Sequence, residues 1–164
     1  MASIWFDLDG TLYELYKIPN WLERLEKKDW NVFVDGEPRK HHERIREAIK
    51  ALQAKGWTVG CITWGSRGIS KEKELQGIAE KKKEFLTEYF PELLENFYCL
   101  PYGASKALPI MHDYCCIRPS KQINYLVDDN KIVRENWRTY GQEFGFKTIN
   151  ASRSFVRELE ALAE

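Results

Sequence analysis

The chain has 164 residues, 43% of them hydrophobic and 30% charged, and its 25 lysines and arginines balance 25 aspartates and glutamates. These values are typical of one globular domain and exclude a disordered chain, and no apolar run approaches the roughly 18 residues that a membrane helix needs. The zero net charge disfavours a general nucleic-acid binder, which would need a basic excess to meet phosphates, so we expect neither membrane nor nucleic-acid partners.

The N-terminus and the cysteines indicate the compartment. The first ten residues, MASIWFDLDG, contain no basic stretch and reach an acidic residue at position 7, so we expect no secretory signal peptide. The four cysteines show no disulfide framework: Cys61, Cys99, Cys115 and Cys116. Reduced thiols in a cytoplasmic protein are the simplest interpretation.

Apolar runs and amphipathic stretches alternate along the chain. The apolar runs predict strands at 3–8, 57–63, 96–100, 122–128 and 147–150. The amphipathic stretches predict helices at 20–28, 40–55, 70–89, 105–113, 130–143 and 153–162. Strands that alternate with helices imply a parallel sheet covered by helices on both faces. The sequence therefore predicts an α/β fold in a single domain covering residues 1–164.

Single residues mark several of the predicted boundaries. Asn20 is placed to cap the first helix, and Gly56 is placed to end the second. Pro109 lies inside the fourth predicted helix and weakens that prediction. The segment 13–40 is the least regular part of the chain, and its aromatic residues predict a small lid: Tyr13, Tyr16, Trp21, Trp30 and Phe33.

Reactive side chains follow several of the predicted strands. Asp7 and Asp9 follow the first strand, Thr63 ends the second, and the pair Asp128-Asp129 ends the fourth. Lys106 comes shortly after the third strand. Because ligands of open parallel sheets bind beyond the carboxyl ends of the strands, we expect these groups to converge at one rim.

Four carboxylates at one rim predict a metal site. Like charges that lie close together repel unless a cation separates them, and clustered carboxylates suit a hard, oxygen-preferring ion. Mg²⁺ fits, because it accepts one or two carboxylates and keeps its other positions for water and phosphate. A metal beside a lysine and a hydroxyl group predicts a site for a phosphoryl group, whose negative charge all three would stabilise.

Four segments resemble, in order, the motifs of the haloacid dehalogenase superfamily. Residues 6–12, FDLDGTL, resemble the first motif, which is DxDGT after an apolar strand. Residues 61–63 resemble the second motif, a strand that ends in Thr or Ser, and Lys106 matches the lysine of the third. Residues 125–129, YLVDD, resemble the fourth, an apolar strand that ends in paired acids. The resemblance spans the whole chain and is closest to small phage- and bacteria-type phosphatases near the 5′-nucleotidases.

The resemblance implies the catalytic and metal-binding roles. Asp7 would attack phosphorus and carry the phosphoryl group, and Asp9 would act as general acid and then as general base. The backbone carbonyl of Asp9, the Asp7 carboxylate and the pair Asp128-Asp129 would hold Mg²⁺. Of that pair, Asp129 is the preferred direct ligand, and either acid could instead cap the helix that begins near residue 130.

The resemblance also implies a set of phosphate contacts. Thr63 and the backbone amide of Trp64 would hold phosphate oxygens. Lys106 would pair with both Asp7 and the phosphoryl group, although Lys121 also precedes the acidic pair and is its rival for this role. Gly10 would permit the close backbone turn beneath the phosphate.

Other polar clusters have simpler interpretations. Residues His112, Asp113, Cys115 and Cys116 do not match the spacing of a closed zinc site. The pair His41-His42 predicts a solvated helix start. The run Lys81-Lys82-Lys83, with Lys71 and Lys73 nearby, predicts the solvent-facing side of a helix.

The resemblance implies a fold and a function. The fold is a three-layer α/β/α sandwich of the Rossmann type, with five parallel strands ordered 5-4-1-2-3 and a minimal helical lid. The function is Mg²⁺-dependent hydrolysis of a small phosphomonoester, with a nucleoside monophosphate as the best single substrate. The alternatives are a phosphatase for nucleic-acid ends and, from a different class, a non-catalytic nucleotide- or phosphate-binding module. A dehalogenase is disfavoured, because Asp9 and the acidic pair serve phosphate and metal chemistry.

Aromatic residues on both sides of the predicted site favour a nucleotide. The ring of Trp64 is expected to leave the site toward the substrate or the lid, while Tyr13, Tyr16 and Trp21 arrive from the lid. Facing rings would form a slot for a flat base. The alternative is that these rings only pack the lid against the core.

Overall fold

A computed structural model describes residues 2–115 and 122–164, without the side chains of 113–115. Its strands are β1 (Ala2–Phe6), β2 (Thr58–Trp64), β3 (Phe97–Leu100), β4 (Ile123–Asp128) and β5 (Phe146–Asn150). Its α-helices are α1 (Trp21–Glu26), α2 (His42–Ala54), α3 (Glu72–Tyr89), α4 (Ala107–Cys115), α5 (Lys131–Tyr140) and α6 (Val156–Ala163). Short 3₁₀ helices cover Leu15–Lys17, Trp30–Phe33, Pro91–Leu93 and Gln142–Phe144. Every predicted strand and helix is present, with bounds shifted by up to a few residues.

All five strands are parallel and lie in the order β3-β2-β1-β4-β5, which confirms the predicted fold class and strand order. The central strand β1 is flanked on both sides, with Phe6 in register with Cys61 of β2 and Val127 of β4. Because the strands are parallel, the segments that follow β1, β2 and β4 emerge at the same rim. The register thus brings three distant parts of the sequence to one place.

Two hydrophobic cores lie on opposite faces of the sheet, as alternation along a strand requires. In β1, Ile4 and Phe6 pack on one face, and Trp5 packs on the other. The first core is completed by apolar side chains of α2, α3 and α6, and the second by those of α4 and α5. This division produces the predicted three layers.

The predicted boundary signals had mixed outcomes. Gly56 follows α2 with a left-handed φ of 80°, as predicted. Asn20 is the N-cap residue of α1, as predicted, although its side chain makes no capping hydrogen bond. Pro109 lies in the first turn of α4, where backbone N–H groups have no partner within the helix. The cap of α5 is Asn130, which accepts hydrogen bonds from Ile132 and Val133, and not an aspartate.

The segment 13–40 folds around a buried tyrosine. The hydroxyl of Tyr13 donates to the carbonyl of Val32 at 2.5 Å and accepts from the amide of Gly36 at 2.7 Å. Tyr13 is fully buried, and burial raises its pKa to about 12. A Cβ at Gly36 would lie 2.7 Å from the Tyr13 hydroxyl oxygen, so this contact requires glycine. Tyr13 therefore packs the segment internally, and its predicted place in a substrate slot is wrong.

Other predictions from the sequence can be compared with the described part of the chain. No helix within residues 2–115 and 122–164 is long and apolar enough to cross a membrane. Cys61 and Cys99 are free cysteines, as expected. His41 is exposed immediately before α2, and the ring of His42 contacts that of Tyr89. Lys121, Cys116 and the side chains of Asp113 and Cys115 lie outside the described residues.

Candidate active site

The predicted site residues converge at the rim where β1, β2 and β4 end. Asp7 follows β1 directly, Asp128 is the last residue of β4, and Lys106 lies immediately before α4. The ammonium of Lys106 donates to Asp7 Oδ1 at 2.6 Å and to Asp128 Oδ2 at 2.8 Å. All three side chains are at least nine-tenths buried. Lys106 therefore links the ends of two neighbouring strands through one buried ion cluster.

Lys106 stays charged in this cluster. Burial by itself would lower the pKa of its ammonium, but Asp7 and Asp128 raise that pKa above its ordinary value. A buried cation without such partners would lose its proton instead. The positive charge held between Asp7 and Asp128 lets the two carboxylates lie near each other.

Three carboxylates form a group that could hold a metal ion. One oxygen each from Asp7, Asp128 and Asp129 lies within 4.8 Å of the others. Burial and the negative charge of Asp7 raise the pKa of Asp128 to about 6 and that of Asp129 to about 7. Burial is the larger cause, and the repulsion between the acids adds to it. A divalent cation would offset the negative charge, and three carboxylate oxygens are ligands that Mg²⁺ accepts, so the donor set fits this ion.

The two acids at the end of β4 have different surroundings. Asp128 Oδ2 accepts from Lys106, and Asp128 Oδ1 accepts from the amide of Asn130 at 2.8 Å. Asp129 accepts no hydrogen bond from another side chain within the described residues, and it is only partly buried. Both oxygens of Asp128 are therefore occupied by hydrogen bonds, whereas those of Asp129 meet no side-chain donor among the described residues.

Asp9 differs from Asp7 in its surroundings. Its Oδ2 accepts a hydrogen bond from Lys82 at 2.5 Å. Its Oδ1 is buried and has no hydrogen-bond partner among the described residues. Burial raises the pKa of Asp9, an effect that Lys82 opposes. Both carboxylates are thus held by a lysine, but only Asp9 keeps a buried oxygen without a hydrogen-bond partner among the described residues.

Lys82 was predicted to face solvent, and this prediction is wrong. Its side chain is fully buried, and its ammonium donates to Asp9, to Thr63 Oγ1 at 2.9 Å and to the Trp64 carbonyl at 2.6 Å. The ammonium also lies 4.6 Å from the centre of the Phe33 ring. These contacts replace the water that a buried ammonium loses. A signal was available, because position 82 falls at i+4 from Ile78 in the inward-facing stripe of α3.

Gly10 occupies a position where a side chain cannot fit. Its φ is +80°, and a Cβ there would lie 2.5 Å from Tyr16 Cε2 and 2.6 Å from Asp129 Oδ2. Next to it, the Thr11 hydroxyl donates to Asp7 Oδ2 at 3.3 Å and accepts from the amide of Asp129 at 3.2 Å. The turn after β1 therefore packs tightly against Asp7 and Asp129.

The two predicted phosphate contacts at the end of β2, Thr63 and Trp64, have different surroundings. Thr63 is fully buried and lines neither of the two cavities beside the carboxylates. Its hydroxyl accepts a hydrogen bond from Lys82. The Trp64 indole N–H donates to the carbonyl of Ala104 at 2.8 Å, and the ring centre lies 5.1 Å from that of Tyr102. The Trp64 ring also lies 5.3 Å from the ammonium of Lys106. It thus packs on the loop after β3 and borders the inner cavity.

Two cavities adjoin the carboxylates. An inner cavity of about 100 Å³ is bounded by Asp9, Trp64, Lys106 and the three clustered carboxylates of Asp7, Asp128 and Asp129. An outer cavity of about 540 Å³ lies between the segment 13–40 and the loops after β2 and β3. Four residues border both: Asp9, Tyr16, Gly65 and Tyr102. The outer volume is within the usual range for small-ligand pockets.

The outer cavity is mainly apolar. Its aromatic lining consists of Tyr16, Trp21, Phe33 and Tyr102. The Tyr16 and Trp21 rings meet edge to face at 5.2 Å between centres. On the other side, Arg67 donates to the Tyr102 hydroxyl at 3.0 Å and lies over its ring. The cavity can therefore enclose a flat or apolar group attached to a phosphate in the inner cavity.

The sequence matches no protein-family model and no curated protein. Solved structures do match by shape. The D,D-heptose 1,7-bisphosphate phosphatase of B. bronchiseptica, solved with magnesium and phosphate, is 17% identical with a TM-score of 0.53, over 99% of this chain and 87% of that one. A haloacid dehalogenase-like family hydrolase from Xanthomonas campestris is 12% identical with a TM-score of 0.52, over 99% and 93%. The chain thus has the fold of the haloacid dehalogenase-like hydrolases.

Proposed function

We propose that this chain is a Mg²⁺-dependent phosphomonoester hydrolase that acts through a phosphoryl group carried on Asp7. The main observation behind the proposal is that Asp7 and Asp9 line the same inner cavity but have different hydrogen-bond partners. Lys106 pairs with both Asp7 and Asp128, whereas Lys82 pairs with Asp9 through Oδ2 alone. The pKa of Asp9 is raised, and its Oδ1 is buried without a hydrogen-bond partner among the described residues. A binding module needs a charged pocket but has no use for a general acid beside a nucleophile. The phosphatase with bound magnesium and phosphate that shares this fold supports the same chemistry.

The proposed reaction has two steps. First, an Asp7 oxygen attacks phosphorus, the bond from phosphorus to the ester oxygen breaks, and Asp9 gives its proton to that oxygen. Then the Asp9 carboxylate takes a proton from water, the water oxygen attacks phosphorus, and the bond to Asp7 breaks. Inorganic phosphate leaves, and both carboxyls return to their starting states. Lys106 holds Asp7 in place beside Asp128 throughout.

Mg²⁺ would be held by Asp7, Asp129 and the backbone carbonyl of Asp9, and Asp128 would add a negative charge nearby. Bound there, the ion would offset the negative charge of the phosphoryl group as it approaches the carboxylates. The Trp64 amide and Gly10 remain the proposed phosphate contacts. Thr63 was predicted as a third, but its fully buried hydroxyl lines neither cavity and accepts from Lys82, so we do not propose it as one.

Magnesium binding should depend on pH. The folded-state pKa values of Asp128 and Asp129 are raised above the ordinary 3.8, so without metal the protein should lose stability as pH rises from about 4 to about 7. Mg²⁺ requires the deprotonated acids. We therefore expect Mg²⁺ to raise the melting temperature more at about pH 8 than at about pH 5. Thermal unfolding at both pH values, with and without a chelator, measures this difference.

The matched control is a carboxylate far from the site. Asp129→Asn should remove most of the Mg²⁺ stabilisation, whereas Glu143→Gln, which changes an exposed acid, should keep it. Chelation should also stop turnover, and added Mg²⁺ should restore it. An equal melting shift at both pH values, or in Asp129→Asn and the parent protein, would contradict the metal site.

We further propose a nucleoside monophosphate as the substrate. The outer cavity offers Tyr16 and Trp21 beside the phosphate-sized inner cavity. Stacking of a base on an aromatic ring contributes about 1–3 kcal/mol. Since about 1.4 kcal/mol corresponds to a factor of ten, nucleoside monophosphates should exceed sugar phosphates in kcat/KM by about tenfold or more.

A panel of phosphorylated metabolites tests this preference. Trp21→Ala should erase much of it while sparing a small ester such as acetyl phosphate. Tyr140→Ala, which removes an exposed ring outside both cavities, is the control. Sugar phosphates that equal or exceed nucleotides would contradict the nucleotide proposal. A 5′-phosphorylated oligonucleotide in the same panel tests the alternative of nucleic-acid ends.

A further inference from the structure

The Lys82 ammonium donates all three of its hydrogen bonds to groups at the active-site rim. An ammonium has three donors, and those of Lys82 go to Asp9 Oδ2, Thr63 Oγ1 and the Trp64 carbonyl, at 2.5, 2.9 and 2.6 Å. No donor is left for a substrate. Lys82 therefore acts on the reaction only through the groups that it holds.

Packing alone does not account for a lysine at this position. The side chain lies in the inward-facing stripe of α3 with Ile78, Phe85 and Leu86, where an apolar residue would fill the space. Burying an ammonium carries a desolvation penalty that its ion pair often only balances, so a buried pair is weak evidence for a stabilising role. The neighbours Lys81 and Lys83 remain in contact with solvent. The buried charge points to a role at Asp9.

We propose that Lys82 is a positioning residue for the general acid. It binds Asp9 Oδ2 and thereby presents Asp9 Oδ1 to the ester oxygen of the substrate. Because Oδ2 accepts from an ammonium, the proton that Asp9 delivers must be held on Oδ1, the oxygen that has no partner among the described residues. This proposal rests on the proposed function, since it assigns the residue that orients its acid.

The same ammonium joins two ends of the sheet. Asp9 belongs to the turn after β1, whereas Thr63 and Trp64 are the last residues of β2. Lys82 reaches both from α3, with the Phe33 ring of the segment 13–40 beside it. The position of the acid is thus tied to the end of the second strand, where Trp64 and the following Gly65 border the inner cavity.

The test is the dependence of the phosphorylation step on the leaving group. Lys82→Met keeps the length of the side chain and removes its three hydrogen bonds, and Lys83→Met on the exposed side of α3 is the control. For an alkyl phosphate, Lys82→Met should slow phosphorylation by about 10²-fold or more, the usual weight of general acid catalysis. With 4-nitrophenyl phosphate the loss should shrink, because that leaving group needs no proton. A purely structural defect would slow both esters equally.

A double variant gives an independent measurement. If Lys82 acts through Asp9, Lys82→Met should change the alkyl ester rate by less than about threefold in an Asp9→Asn background. The double variant also leaves no unpaired buried charge, so it remains usable should Lys82→Met fail to fold. A larger additional loss in the double variant, or equal losses for both esters in a folded Lys82→Met, would overturn the proposal. If the parent protein shows no Asp7-dependent turnover, the proposed function fails instead.

Discussion

Asp7→Asn is expected to abolish turnover and leave the protein folded. The amide has nearly the same shape as the carboxylate but is a poor nucleophile and a poor metal ligand. Loss of a covalent nucleophile removes most of the rate enhancement, so less than about 1% of the parent activity should remain. The fold should survive, because the substitution removes one of three crowded negative charges and Lys106 keeps its bond to Asp128.

The Asp7 variant needs a control for the substitution itself. Asp35→Asn makes the same exchange at a partly exposed acid that pairs with Arg24, away from both cavities. It should retain activity, since exposed ion pairs contribute about 0–1 kcal/mol. Steady-state rates measure the activity of both variants, and far-ultraviolet circular dichroism shows whether each is folded. A folded Asp7→Asn protein with more than a few per cent activity would rule out Asp7 as nucleophile.

Asp9→Asn should lower activity on an unactivated ester by about 10²–10⁴-fold. Burial raises the pKa of Asp9, and its Oδ1, which has no hydrogen-bond partner among the described residues, is available for the ester oxygen. Asparagine can still accept from Lys82 but cannot deliver a proton. The loss in the phosphorylation step should shrink with 4-nitrophenyl phosphate, which rapid-quench kinetics can follow. Equal losses for both esters in that step would argue against the acid role.

The fold and the position of the site follow from short-range patterns. The strands β1 and β4 are apolar runs that end at acidic residues, and parallel pairing brings those ends together whatever their distance along the chain. Asp7, Asp128 and Lys106 could therefore be placed correctly from sequence. Gly10 could be placed as well, because only glycine suits its left-handed φ beside Asp129.

The parts that could not be predicted depend on partners from distant segments. Lys82 lies in a run of three lysines, and its burial depends on Asp9, 73 residues away, together with Thr63. Tyr13 follows the first motif and has the sequence context of a substrate-facing ring. Its burial depends on hydrogen bonds with Val32 and Gly36, 19 and 23 residues later. Local patterns carry no information about such pairings.

The most direct test of the Asp7 mechanism is to trap the phosphoryl group on the protein. The parent protein, mixed with Mg²⁺ and substrate and quenched in acid within one turnover, should carry one phosphoryl group on the peptide that contains Asp7. Hydroxylamine should remove it, as expected for an acyl phosphate, and Asp7→Asn should carry none. A protein that releases phosphate with no phosphoryl group on Asp7 at any quench time would contradict the covalent mechanism.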